Sequence, residues 1–88
     1  MNMYANPFQA LADTPQEAEN LRIRAELMRQ IAERVRTRGW TQQEAAAHCA
    51  ITQPRMSDLL NGRLSKFTID ALVNIASALD MHIHLTVV

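Results

Sequence analysis

Residues 41–62, TQQEAAAHCAITQPRMSDLLNG, place two helix starts and two helix stops within 22 positions. Thr41-Gln-Gln-Glu44 has the form of a capping box, in which the threonine oxygen accepts an early backbone N–H and the glutamate reaches back to the cap. Ala45, Ala46 and Ala47 follow, strong helix formers with almost no side-chain bulk, so a neighbouring helix can approach this backbone closely. Thr52 is the next cap, framed by Ile51 and Met56 as a hydrophobic staple. Pro54 lacks an N–H, but the first turn of a helix has no partner for it anyway. Asn61-Gly62, two residues that tolerate the left-handed conformation, end this segment. The stretch therefore predicts helix, a turn of about three residues, helix.

The second of these short helices is polarised in an informative way. At 100° per residue, Met56, Leu59 and Leu60 share one face, and Pro54, Ser57, Asp58 and Asn61 lie opposite, with Arg55 to one side and Gln53 at the N-terminal tip. The outward side chains are small or hydrogen-bonding, without the lysine and glutamate run that usually solvates an exposed helix. Such a face suits a groove in which donors and acceptors are read. In a helix-turn-helix the second helix lies in the DNA major groove with its N-terminal residues at the base edges.

Working outward, Thr14-Pro15-Gln16-Glu17 is another capping box with proline at the first helical position. It opens a long helix with Leu21, Leu27, Met28, Ile31 and Val35 as its apolar stripe and Gly39 as its stop. Arg24, Arg29, Arg34, Arg36 and Arg38 fall on other faces and read as a solvated surface. Trp40, at the junction, reads as a core anchor rather than a stacking platform. On the C-terminal side, Thr68 caps a fourth helix, stapled by Phe67 and Leu72, with Leu72, Ile75, Ala76 and Leu79 on its buried face. The period then changes. His82-Ile-His-Leu-Thr-Val-Val88 alternates apolar Ile83, Leu85 and Val87 with more polar neighbours. It predicts one strand with no companion in its own chain, and the economical partner is the same strand of a second copy across a two-fold axis. The expected organisation is a weakly structured tail over 1–13, a helical domain over 14–81 and a dimerisation strand over 82–88.

Net charge is zero, which by itself argues against nucleic acid, but the charge is unevenly placed. Residues 1–21 carry only Asp13, Glu17 and Glu19; residues 22–66 carry all nine basic side chains against Glu26, Glu33, Glu44 and Asp58; residues 67–88 carry only Asp70 and Asp80. The middle of a neutral chain is basic. With 88 residues and a modest core, the domain would gain from a partner chain. A single cysteine leaves no internal disulfide, and no apolar run marks export or membrane insertion, so a cytoplasmic location is expected.

These motifs carry a resemblance. TQQEAAAHCAITQPRMSDLLNG is similar to the helix-turn-helix of the XRE family, the phage-repressor-like regulators. NPF at 6–8, GWTQQEAA, the run from Thr52 to Leu79 and the terminal strand together resemble HigA-like antitoxins, over about Asn6 to Val88. The resemblance implies a mostly α, lambda-repressor-like bundle of four helices with a C-terminal strand pairing across a homodimer. It also implies an autorepressor bound to double-stranded DNA at an inverted repeat, and a possible RelE/HigB-type RNA-cleaving toxin as a partner. Carried over by position, Gln42 is a phosphate contact, Gln53, Pro54, Ser57 and Asp58 meet bases, and Arg55, Asn61, Arg63 and Lys66 flank them at the DNA backbone. Two departures stand out. The family usually has glycine in the turn where this chain has Cys49-Ala50, so a left-handed residue there would cost about 1 kcal/mol. Asp58 brings a carboxylate towards phosphates and either accepts from a cytosine amino group or turns away to pair with an arginine.

Other chemistries find little footing. His48, Cys49, His82 and His84 lack the spacing of a tetrahedral metal site, Ser57-Asp58 with a distant histidine is no triad, and there is no glycine-rich phosphate cradle. The reading is of a protein without a cofactor and without enzymatic chemistry. The alternative to a DNA reader is a protein-interaction module that neutralises a toxin, engaging it through the acidic and apolar start NPFQALADTPQEAENL. Deletion of residues 1–13 is then expected to abolish protection in a toxin co-expression growth assay while sparing DNA binding; unchanged protection would remove the tail from that role.

Overall fold

The computed structural model describes Phe8 and residues 11–88. Four α-helices follow one another: α1 (Pro15–Arg38), α2 (Gln42–Cys49), α3 (Gln53–Leu60) and α4 (Ile69–Ala78), with a single 3-10 turn at Leu64–Lys66 between the last two. Every helix starts in the same way. Thr14, Thr41, Thr52 and Thr68 sit in extended backbone, and each hydroxyl oxygen accepts the N–H three residues on, from Glu17, Glu44, Arg55 and Ala71. That removes one orphan donor per helix and sets four chain directions. The reciprocal half of the box forms at α2, where Glu44 accepts from the Thr41 N–H at 3.1 Å. At α1 the expected return contact is displaced by one residue, since Glu17 accepts from Asp13 rather than from Thr14.

The ends also share a device. Among the described residues Gly39, Ala50, Gly62 and Asp80 have positive φ, and each follows one of the helices. In every case the N–H of that residue and of the next fold back on the last turn, as in Ala50 to Ala47 and Ile51 to Ala46, at 3.3 and 3.0 Å. This is the Schellman closure, which satisfies carbonyls that the helix itself leaves open. Glycine adopts the left-handed conformation without strain; Ala50 does so at φ 55°, ψ 41° because the α2–α3 connection requires it.

The core lies where α1 packs on α3 and α4 and α2 closes against the same two helices. Met28, Ile31 and Val35 of α1, Ala45, Ala46 and Cys49 of α2, Met56 and Leu59 of α3, Phe67, and Leu72, Ile75, Ala76 and Leu79 of the α4 region form one buried cluster. Ile31, Met56, Leu59, Leu72 and Leu79 are its largest fully buried side chains. Each of these contributes about 1.5–3 kcal/mol of burial. Leu21 stays half-exposed, outside the cluster, and Leu27 packs on its margin, so the apolar stripe of α1 is narrower than its sequence suggests. Trp40 packs against the cluster from one side, as expected of an anchor. A helix of 24 residues is about 36 Å long and sets the 41 Å long axis of the molecule.

Among the described residues no strand is present. Residues 82–88 carry Ile83, Leu85 and Val87 as expected, but a strand requires a ladder and no other described residues offer an edge, so the expected β-strand is not formed there. Leu85 and Val87 are 79% and 93% exposed. Of the tail expected over 1–13, all but Phe8 and 11–13 lies outside the described residues.

The backbone at Ala50 generates a stability prediction. Ala50→Gly relieves the left-handed strain and is expected to stabilise the fold by about 1 kcal/mol in urea denaturation. A loss of stability would show that the connection holds no such strain.

Candidate nucleic-acid interface

The close approach of α2 and α3 rests on side-chain volume. Ala45 and Ala46 are fully buried at the crossing, against the face of α3 that carries Met56 and Leu59. With its apolar side held there, α3 has only its other side to offer. Gln53 and Pro54 stand exposed in its first turn, Ser57 and Asp58 are half-buried, and Asn61 is exposed at its end. Gln42, the first residue of α2, is also exposed. The structure thus brings Gln53, Pro54, Ser57, Asp58 and Asn61 onto one helix side, as their spacing predicts.

Two of these positions are occupied by neighbours. The Asn61 amide donates to Ser57 Oγ at 3.3 Å, so the two present one joined polar group. Asp58 meets Arg63, Oδ1 to Nε, at 3.1 Å. Of the two alternatives that the sequence leaves open for Asp58, the arginine pair is the one present. It gives the carboxylate a counter-charge through Nε, while Arg63 itself stays largely exposed.

The fate of the other basic side chains changes the electrostatic picture. Arg22, Arg29 and Arg36 each pair with the glutamate three residues before, Glu19, Glu26 and Glu33. These pairs recur every seven residues and keep one solvent-facing stripe of α1 neutral. The Arg29 guanidinium, helped by the Gln30 amide, holds the Glu26 carboxyl down at about 2. Hydrogen bonding from Arg22 lowers Glu19 in the same direction. Exposed pairs of this type add little stability, because solvent screens them.

Arg24, Arg34 and Arg55 depart from the solvated or DNA-facing positions expected of them. Arg24 Nη1 donates to the Leu64 and Phe67 carbonyls at 2.8 and 3.2 Å, and Arg34 Nη1 donates to Leu79 O at 3.2 Å. Arg55 donates to Lys66 O at 3.2 Å, with its guanidinium carbon 4.3 Å from the centre of the Phe67 ring. The sequence carries a faint sign for Arg24, which lies four residues before Met28 and seven before Ile31 and so shares the core-side stripe of α1. Arg38 lies over the Trp40 ring at 5.5 Å. His48 stacks on that ring at 3.7 Å and 9°, so Trp40 is also a stacking surface at the end of α2. Lys66 is exposed and, among the described residues, its ammonium has no internal partner.

No group of three His, Cys, Asp or Glu side chains that could hold a metal ion occurs among the described residues. Burial pushes the Cys49 thiol up from its ordinary value, which keeps it protonated in the core. Among the same residues no helix is long and apolar enough to cross a membrane.

Two short helices joined by a tight left-handed turn, the second turning a hydrogen-bonding side to solvent, form a helix-turn-helix unit. A family described as helix-turn-helix domain matches residues 10–88. The chain belongs to this family. Neither curated proteins nor solved structures provide a significant match. Membership of a helix-turn-helix domain family supports a DNA-binding regulator as the broad class, and α3 is the element that this motif places in the groove.

Proposed function

We propose that the protein is a sequence-specific DNA-binding repressor of its own promoter, acting as a homodimer, in which α3 reads the major groove. The observation that carries the reading is the outward side of α3. Gln53 and the Ser57–Asn61 pair offer donors and acceptors close together, on a helix whose other side is fixed in the core by Met56 and Leu59. Bidentate glutamine contacts to adenine are among the geometrically favoured base readings. Gln42, Arg63 and Lys66 supply phosphate contacts around that face, which fix register without carrying sequence information.

Dimerisation through residues 82–88 completes the reading. Among the described residues, five of the six exposed large apolar side chains, Val73, Ile83, Leu85, Val87 and Val88, belong to α4 and the segment after it. Pairing of 82–88 with the same segment of a second copy would cover several of them and give each segment the ladder partner it lacks. A two-fold dimer presents two copies of α3 to half-sites whose centres lie about 34 Å apart. The HigA-like resemblance adds the second role, neutralisation of a RelE/HigB-type toxin, in which the acidic N-terminal tail rather than α3 is the essential surface.

Base reading is tested by Gln53→Ala and Ser57→Ala together. The expected loss is about 1–3 kcal/mol on the duplex upstream of the protein's own coding sequence and little on random duplex, measured by fluorescence anisotropy. Equal losses on both would mean that α3 makes only backbone contacts.

A further inference from the structure

The segment that joins α3 to α4 is short of bonds of its own. Within Leu64–Phe67 the 3-10 closures are Lys66 N–H to Arg63 O at 3.1 Å and Phe67 N–H to Leu64 O at 3.3 Å. Such i to i+3 bonds hold poorly in isolation. Two guanidinium groups supply what is missing. Arg24 reaches from α1 to the Leu64 and Phe67 carbonyls, and its Nε donates to Asn20 Oδ1 at 2.6 Å, which steadies its stem. Arg55 reaches from α3 to the Lys66 carbonyl and places its guanidinium carbon over Phe67, itself only 2% exposed. Three of the four carbonyls from Leu64 to Phe67 are therefore gripped from two different helices, while the Lys66 side chain is left outside.

We propose that Arg24 and Arg55 are positioning residues for DNA binding: they fix the Leu64–Phe67 segment so that the Lys66 ammonium meets a phosphate at a set distance from α3. The inference rests on the DNA-binding reading above and deepens it. Arg55 belongs to the reading helix, so its grip couples the register of base contacts to that of the phosphate contact. Each guanidinium commits its Nη1 to this segment's carbonyls, and that of Arg55 also sits over a ring, so the proposal gives the phosphate contact to Lys66 and a positioning role to the arginines. A lysine at either position keeps the charge but cannot reproduce a fork with a flat stacking face. This separates the proposal from a direct phosphate role.

The test uses the full chain and the duplex upstream of its own coding sequence, with binding measured across a series of salt concentrations. Lys66→Gln is expected to reduce the slope of log affinity against log salt by about 0.9 per bound protomer. Arg55→Lys and Arg24→Lys, which lose no charge, are expected to reduce it towards the same value, and neither is expected to reduce it further when combined with Lys66→Gln. A wild-type slope in both lysine variants, or a further reduction in the Lys66→Gln background, would overturn the proposal and leave the DNA reading intact. Melting curves monitored by circular dichroism identify folded variants; if Arg24→Lys is unfolded at the assay temperature, Arg55→Lys decides alone. Wild-type protein that binds neither this duplex nor a scrambled one would overturn the DNA reading, and the proposal with it.

Discussion

The left-handed backbone at Ala50 is the constraint from which the interface follows. Only three residues separate Cys49 from Gln53, and within them the chain must close one helix, turn and cap the next. The Ala50 and Ile51 N–H groups close α2 on the Ala47 and Ala46 carbonyls, and Thr52 caps α3. With that turn set and the small residues Ala45 and Ala46 at the crossing, Met56 and Leu59 enter the core, and Gln53, Ser57 and Asn61 face out by helical period alone. A glycine at position 50 would allow the same turn with less strain; the alanine holds it because packing on both sides over-determines it.

The basic middle of the chain has a different meaning in three dimensions. Three arginines of α1 are neutralised by glutamates on the same helix, three more are bonded to backbone carbonyls, and one pairs with Asp58. The remaining pair differs in kind: Arg38 lies over Trp40, and Lys66 projects from a segment that arginines hold in place. Most of the positive charge is thus already matched by contacts within the domain, and few positive groups stand outside such contacts. The zero net charge of the chain is thus matched by a surface without a broad basic patch among the described residues.

How far this could be read from sequence depends on whether a feature is local. The four threonine caps and the left-handed stops are local, so helix number and the helix limits were legible, as was the polar side of α3. The inward turn of Arg24, Arg34 and Arg55 was not, because an arginine has the same neighbours in sequence whether its guanidinium meets water or a carbonyl 11 to 45 residues away. Asp58 was ambiguous for a related reason: its partner Arg63 lies beyond the helix end, where the Gly62 turn decides the geometry. The alternation over 82–88 was visible, but a ladder belongs to two segments and the described residues contain only one with that pattern. Leu21 shows the limit of periodicity, since a residue can share the apolar stripe and still lie beyond the reach of the other helices.

The most direct measurement is an equilibrium titration of the wild-type protein on the duplex upstream of its own coding sequence and on a scrambled duplex of equal length, at two salt concentrations. The account predicts a preference of ~10³ or more for the upstream duplex, persisting at the higher salt, because bases read by α3 do not depend on counterion release. Equal binding to both duplexes, falling steeply together as salt rises, would contradict it.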